Sequence, residues 1–170
     1  MAIVFQYGSN CSTARLNGGD RLDGAAIPMG IARTVEDYAL AFDVWSDKNG
    51  CAASNIVKTP GKKVWGVLFD VPDERISRET SPKGKNSFDA IERDRYRRHW
   101  IQVSRPNGSV VTALTYVVKC SEQGLQTNLD YVRHIVLGLR EQGVPDEYIH
   151  EVKAIAAANN PENAEAVECL

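Results

Sequence analysis

The chain has 170 residues, of which 43% are hydrophobic and 25% charged. This is ordinary globular composition for one domain, large enough to bury about 70% of the surface its unfolded form exposes, and it excludes disorder, collagen and coiled coil as readings of the whole. Lys plus Arg is 20 and Asp plus Glu is 22, a formal charge of -2; that disfavours a dedicated nucleic-acid binder, and no apolar run approaches the roughly 20 residues of a membrane span.

Taken in chain order, the opening MAIVFQYGSN has no basic region or cleavable apolar core, so no secretory signal is expected and the location is read as cytoplasmic. Ala2 to Tyr7 is a short apolar run ending in Gly8-Ser9-Asn10, the pattern of a strand delivered into a tight loop. Residues 12 to 34 show no clean period and read as irregular. Tyr38, Leu40, Phe42 and Val44 alternate with Ala39, Ala41, Asp43 and Trp45, which predicts a strand. Ser46 to Lys63 is rich in turn formers and reads as a long connection with room for one short strand. Val64 to Val71 is a nearly continuous apolar run, predicting a strand covered on both faces. Pro72 to Asn86 is charged and reads as an exposed loop. Ser87 is placed to cap a short helix over 88–93.

Tyr96 to Val103 and Ser109 to Lys119 flank Arg105-Pro106-Asn107-Gly108, a hairpin signal. Leu129, Val132, Val136 and Leu139 then recur at helical spacing, with Thr127 or Asn128 as cap and Gly143 as stop. Pro145 suits the first turn of a second helix to about Ala158, which Asn159-Asn160-Pro161 ends. The expected organisation is one domain over 1–158 and an acidic, frayed tail over 159–170. The class is α+β: a mainly antiparallel sheet or small barrel, with helices gathered late. Cys11, Cys51, Cys120 and Cys169 lack zinc-site spacing and are read as reduced thiols serving mainly as packing residues.

Four features could carry chemistry. Tyr7-Gly8-Ser9-Asn10 could form a nest of backbone N–H groups for an anion such as a carboxylate; its plain alternative is a strand-ending turn. Glu92, at the junction of a short helix and a strand, could be held in a partly apolar pocket and tuned as a general base; its plain alternative is a solvated side chain. Arg93, Arg95, Arg97, Arg98 and His99, interleaved with Tyr96 and Trp100, read as a solvated strand face; binding of single-stranded nucleic acid is the disfavoured alternative. Tyr131 reads as a core or pocket-wall residue. Asp73, Glu74 and Glu79 are available to favour a cationic ligand.

In this order the features resemble the γ-glutamylcyclotransferase family over roughly Ile3 to Ile155. Phe5-Gln6-Tyr7-Gly8-Ser9-Asn10 resembles its signature loop and Val64-Trp65-Gly66-Val67-Leu68-Phe69 its central strand. Phe88-Asp89-Ala90-Ile91-Glu92 with Tyr96-x-Arg98 resembles the segment that carries its catalytic glutamate, and Tyr131 through Tyr148 its late helix and turn. The resemblance implies a small mixed barrel with flanking helices. It also implies cleavage of a γ-glutamyl amide by attack of the substrate's own α-amine, giving 5-oxoproline and a free amine. Carried over, Tyr7, Gly8, Ser9 and Asn10 would cradle the headgroup, Glu92 would move the proton, and Tyr131 would fix the carboxylate or line the pocket. The expected partner is a small γ-glutamyl compound, with no metal, cofactor, nucleic acid or membrane; a catalytically weak binding domain on the same fold is the alternative. Two positions depart from the family pattern. Cys11 replaces a usual leucine, and Arg93 replaces a common glycine, where its charge would reshape the turn or lower the Glu92 pKa.

Overall fold

The computed structural model describes residues 1–170. Its centre is the apolar run Trp65–Val71 (β5), whose two edges pair with Ala2–Gln6 (β1) and Ile27–Thr34 (β2), both antiparallel. Tyr96–Ser104 (β6) joins β2, and Val110–Val118 (β7) pairs with β6 along its full length. The barrel closes where β7 meets β1 in parallel, at Val4 opposite Leu114. Every other ladder is antiparallel, so the mixed, mainly antiparallel barrel expected from the sequence is what forms. Closure leaves no free edge on β1, and Val4, Phe5, Val67, Leu68, Phe69, Val103 and Ala113 are fully buried, so β1 and β5 are covered on both faces.

A second layer packs against the barrel at β7. Tyr38–Ser46 (β3) and Cys51–Lys58 (β4) form a two-stranded hairpin, and the alternating Tyr38, Leu40, Phe42 and Val44 are its buried set. β4 is tied to the barrel where the Val118 N–H donates to Asn55 Oδ1 at 3.2 Å. Leu129–Glu141 (α3) is capped by Asn128, whose side chain accepts from the Tyr131 N–H. It buries Tyr131, Val132, Ile135, Val136 and Leu139, and Asp146–Asn159 (α4) packs beside it. No helix is long and apolar enough to cross a membrane.

Three expectations are corrected. Residues 12 to 34 are not irregular: they hold a short helix, Thr13–Leu16 (α1), and all of β2. The first residues of β2 face solvent, Pro28 and Gly30 flank a bulge, and only Ala32 and Thr34 are buried, so no two-residue period was written. β4 is a full strand of eight residues rather than a short one within a connection; Ala52, Ala53, Ser54 and Asn55 are weak strand formers held by burial. The terminal segment is not frayed. It forms a further helix, Ala164–Glu168 (α5), which buries Val167, and Lys153 Nζ donates to the Glu168 carbonyl at 3.1 Å.

Candidate active site

β1 delivers Tyr7 to a loop pressed between β4 and α3. A Cβ at Gly8 would lie 2.0 Å from Ser54 Oγ, and one at Gly138 would lie 2.4 Å from the Ser12 nitrogen, so glycine at both positions is a matter of space. Ser9–Cys11 make one 3-10 turn, closed by the Cys11 N–H donating to the Gly8 carbonyl at 3.0 Å. The N–H groups of Gly8, Ser9 and Asn10 meet no backbone acceptor. All three residues line the cavity, and successive N–H groups in a turn are the kind of donor that can hold an anion. The Tyr7 hydroxyl is committed elsewhere, donating to the Tyr116 carbonyl at 2.6 Å.

Across the cavity lies a short helix, Phe88–Glu92 (α2). The Ser87 hydroxyl caps it by accepting from the Ala90 N–H at 3.2 Å, and fully buried Phe88 anchors it by stacking on Tyr116. Glu92, the last helical residue, lines the cavity. Only its Oε1 is bonded to the protein, by Asn10 Nδ2 at 3.2 Å. The same Asn10 amide accepts from Arg21 at 3.0 Å through Oδ1. Arg21 therefore turns the amide so that its N–H₂ faces the carboxylate. Burial raises the Glu92 pKa to about 7, against the opposing pull of the Arg21 charge and the Asn10 hydrogen bond. The cation that acts on Glu92 is thus Arg21, not Arg93 as the sequence suggested. Arg93 keeps its turn only with φ 58, a left-handed conformation.

The cavity encloses about 90 Å³. Its wall includes Tyr131, whose hydroxyl accepts from the Ser54 N–H and shares a hydrogen bond with Ser54 Oγ, both at 3.0 Å. Burial pushes the Tyr131 pKa up, so the phenol stays neutral. Tyr96 closes the same side by donating to the Ser54 carbonyl at 2.7 Å. All six candidate residues, Tyr7, Gly8, Ser9, Asn10, Glu92 and Tyr131, therefore line one cavity. Sequence reasoning missed Arg21 and Ser54. Both lie in segments read as irregular or connecting, and a single Arg or Ser there carries no signal of its own.

Other candidates lie elsewhere. Cys11 is fully buried, its thiol donates to the Gln6 carbonyl, and burial pushes its pKa upward, so it has no nucleophilic character. Cys120 and Cys169 are exposed rather than packing residues. Asp73 pairs with the N-terminal ammonium and, like Glu74, lies outside the cavity, whereas Glu79 lines a groove that adjoins it. The mouth is instead lined by Trp45 near the end of β3 and Asp47 and Lys48 of the β3–β4 turn, together with Arg93 and Arg95.

Comparison with known proteins agrees with this architecture. Residues 63–152 match the AIG2-like family. The chain is 29% identical over 160 residues to gamma-glutamylcyclotransferase of Mus musculus, covering 90% of this chain and 78% of that protein. It is 24% identical over 159 residues to gamma-glutamylcyclotransferase of Homo sapiens, with the same coverage. A solved gamma-glutamyl cyclotransferase superposes with a TM-score of 0.77 at 25% identity, over 91% of this chain and 87% of that one. With the matched segment spanning more than half its length, and with this barrel and loop, the chain belongs to the AIG2-like family of γ-glutamylcyclotransferase-like proteins.

Proposed function

We propose that the protein is a γ-glutamylcyclotransferase-like lyase that converts a γ-glutamyl amide to 5-oxoproline and a free amine. The observation that carries this reading is Glu92: a carboxylate at the cavity wall, raised to about 7, facing a loop with unused N–H donors. Intramolecular cyclisation needs a base for the substrate's α-ammonium and a cradle for its carboxylate, with no nucleophile from the protein. Glu92 and this loop line one cavity, which supports assigning both roles there.

In this scheme the N–H groups of Gly8, Ser9 and Asn10 hold the headgroup carboxylate, and Tyr131 and Ser54 form the opposite wall. Glu92 takes one proton from the α-ammonium. The freed amine forms a bond to the γ-carbonyl carbon. Glu92 returns the proton to the amide nitrogen, whose bond to that carbon then breaks. The excess proton on the new ring nitrogen leaves through the same carboxylate to the departing amine, so no net proton is consumed. Folding the substrate into an attack geometry can supply roughly 7–11 kcal/mol, and the base a further factor of about 10²–10⁴.

The test is 5-oxoproline release from γ-glutamyl amino acids and amines by wild type and Glu92→Gln. Wild type is expected to turn over, and the variant to lose about 10²–10⁴-fold in kcat while remaining folded. Full activity in Glu92→Gln would remove Glu92 from this role. Ligand-induced stabilisation without turnover in wild type would instead leave a binding domain.

A further inference from the structure

We infer that Arg75 is a positioning residue of the active site: it holds the segment that carries Arg21 in register with α2, and so fixes, through Asn10, where the Glu92 carboxylate stands. The inference rests on the cyclisation reading and deepens it.

Arg21 and Arg75 are the two buried arginines of the chain, at 6% and 7% exposure. A guanidinium withdrawn from water is costly unless its N–H groups find acceptors. Arg75 lies in a one-turn helix, Asp73–Arg75, and its acceptors are backbone carbonyls of two different segments. Nη2 donates to the Leu22 carbonyl and Nε to the Asn86 carbonyl, both at 2.7 Å. Leu22 follows Arg21, and Asn86 precedes Ser87, the cap of α2. Asn86 Nδ2 also donates to the Asp20 carbonyl at 2.8 Å. The residues on both sides of Arg21 are therefore tied to Asn86, one directly and one through Arg75. The turn after Arg75 grips α2 as well, where the Asp89 N–H donates to the Ile76 carbonyl at 3.1 Å.

These ties close a ring. From Arg21 it runs through Asn10 to Glu92, back along α2 to Ser87 and Asn86, and through Arg75 to Leu22, beside Arg21. The Arg21 segment is bonded within itself: the N–H groups of Arg21 and Asp23 donate to the Gly18 carbonyl, and that of Leu22 to the Leu16 carbonyl. It keeps its shape as a unit, so its ties to the α2 segment decide its register. The exposed Lys85–Asp23 pair joins the same two segments, but solvent weakens it. Register matters because Glu92 has one bond to the protein, from an amide that Arg21 orients. Arg21 is also the charge that acts on Glu92. The phenols of Tyr7, Tyr96 and Tyr131 in the same cavity are kept neutral by burial, and Asp47, Lys48, Arg93 and Arg95 stand at its mouth.

The experiment titrates Glu92 directly and measures turnover beside it. Its carboxyl is followed by carbon NMR, with the signal assigned by its loss in Glu92→Gln. Release of 5-oxoproline from γ-glutamyl-alanine and γ-glutamyl-ethylamide is measured across pH in the same proteins. Arg75→Met keeps an apolar stem and donates nothing. It is expected to move the Glu92 midpoint upward from about 7, because the charge of Arg21 that holds it down is no longer kept in place. The acid limb of kcat/KM should rise with it, and kcat should fall about 10–100-fold with KM changed less. Arg75→Lys, which reaches one carbonyl at a time, should recover part of both. Asn86→Ala removes the exposed side-chain tie to Asp20 and should move the midpoint the same way by less. Arg21→Met should move it furthest, and adding Arg75→Met should move it no further. A wild-type midpoint in folded Arg75→Met overturns the inference and leaves the cyclisation reading standing. Should Arg75→Met not fold, wild-type midpoints in both Arg75→Lys and Asn86→Ala overturn it equally. Midpoints that move as expected, in a series whose folded wild type turns over neither compound, uphold the tie between Arg75 and Glu92 and overturn the cyclisation reading.

Discussion

The two sides of α2 place carboxylates in opposite surroundings. On the cavity side, Glu92 is half-buried beside one amide donor and near one guanidinium, and loss of solvation lifts its pKa to about 7. On the groove side, one turn earlier, Asp89 is half-buried. That burial works to raise its pKa, but Arg98 grips it through two nitrogens at 2.9 and 2.6 Å and the Tyr116 hydroxyl donates at 2.8 Å, so it is held below the usual carboxylate range. The same helix thus carries one carboxylate able to exchange a proton near neutrality and one that stays ionised and locks the helix to β6 and β7. Divergent environments of this kind separate the acid–base group from the structural one. The pair also shows why the cavity side costs stability and the groove side supplies it.

The largest thermodynamic effect expected from this contrast is in Glu92→Gln. A carboxyl whose folded pKa lies above its unfolded value of 4.5 stabilises the fold fully below that value and loses the contribution as pH rises through about 7. The separation corresponds to roughly 3 kcal/mol. Glutamine keeps an oxygen for the Asn10 amide and carries no charge. Glu92→Gln is therefore expected to be more stable than wild type by up to roughly 3 kcal/mol near pH 8, with the gain vanishing near pH 4. Urea unfolding across that range measures it, and equal stability of the two proteins at every pH would break the contrast. The same linkage places the acid limb of kcat/KM near 7 in the proposed reaction, since the ionised form accepts the proton.

Asp89→Asn should behave in the opposite sense. A depressed pKa contributes stability above the ordinary carboxylate range and loses it as pH falls through the folded value. The Arg98 side chain is 46% exposed and the Asp89 side chain 28%, so solvent screens the pair and the loss at neutral pH is expected near 1 kcal/mol. That loss should shrink on acidification, where the Glu92→Gln gain also disappears. A cost that instead grows in acid would show that Asp89 is not the ionised anchor its contacts describe.

How much of this was legible in sequence follows the same division. The cavity side could be read because its demands are written as residue types in a row: a glycine where Ser54 leaves no space for a Cβ, a capping serine, a glutamate after two apolar helix residues, a tyrosine one turn into an amphipathic helix. The strands with clean alternation or apolar runs, β1, β3, β5, β6 and β7, were readable for the same reason. β2 and β4 were not. β2 turns its first half to solvent around a bulge, and β4 is held by what covers it rather than by its own propensity. Their obscurity hid Arg21, which approaches Glu92 only once the segment before β2 folds against the loop, and Ser54, which meets Tyr131 only from β4. The mouth was hidden more deeply. Asp73, Glu74 and Glu79 lie in a charged stretch that sequence alone could not place, whereas the ion pairs at the mouth join residues far apart in the chain, such as Lys48 with Asp20 and Arg95 with Glu122.

The change at the helix cap sharpens the comparison most, because it touches both carboxylates without altering either. Ser87 is buried, and its hydroxyl satisfies the Ala90 N–H, one of the orphan donors of the first turn of α2. Ser87→Ala is expected to cost about 1 kcal/mol, nearly independent of pH, because no titrating group is removed. A helix this short has few bonds of its own, so its carboxylates rely on Phe88 against Tyr116 and on Asp89 against Arg98 to stay in place. Loosening the cap should therefore widen the positions of Glu92 more than those of Asp89, which is gripped from three directions while Glu92 is held by Asn10 alone. The expected readout is a modest fall in kcat for 5-oxoproline release with KM nearly unchanged, alongside retained pH dependence of the Asp89→Asn cost in the double variant. A fall in KM-dependent binding with kcat intact would place the weakness of the capped helix on the groove side instead.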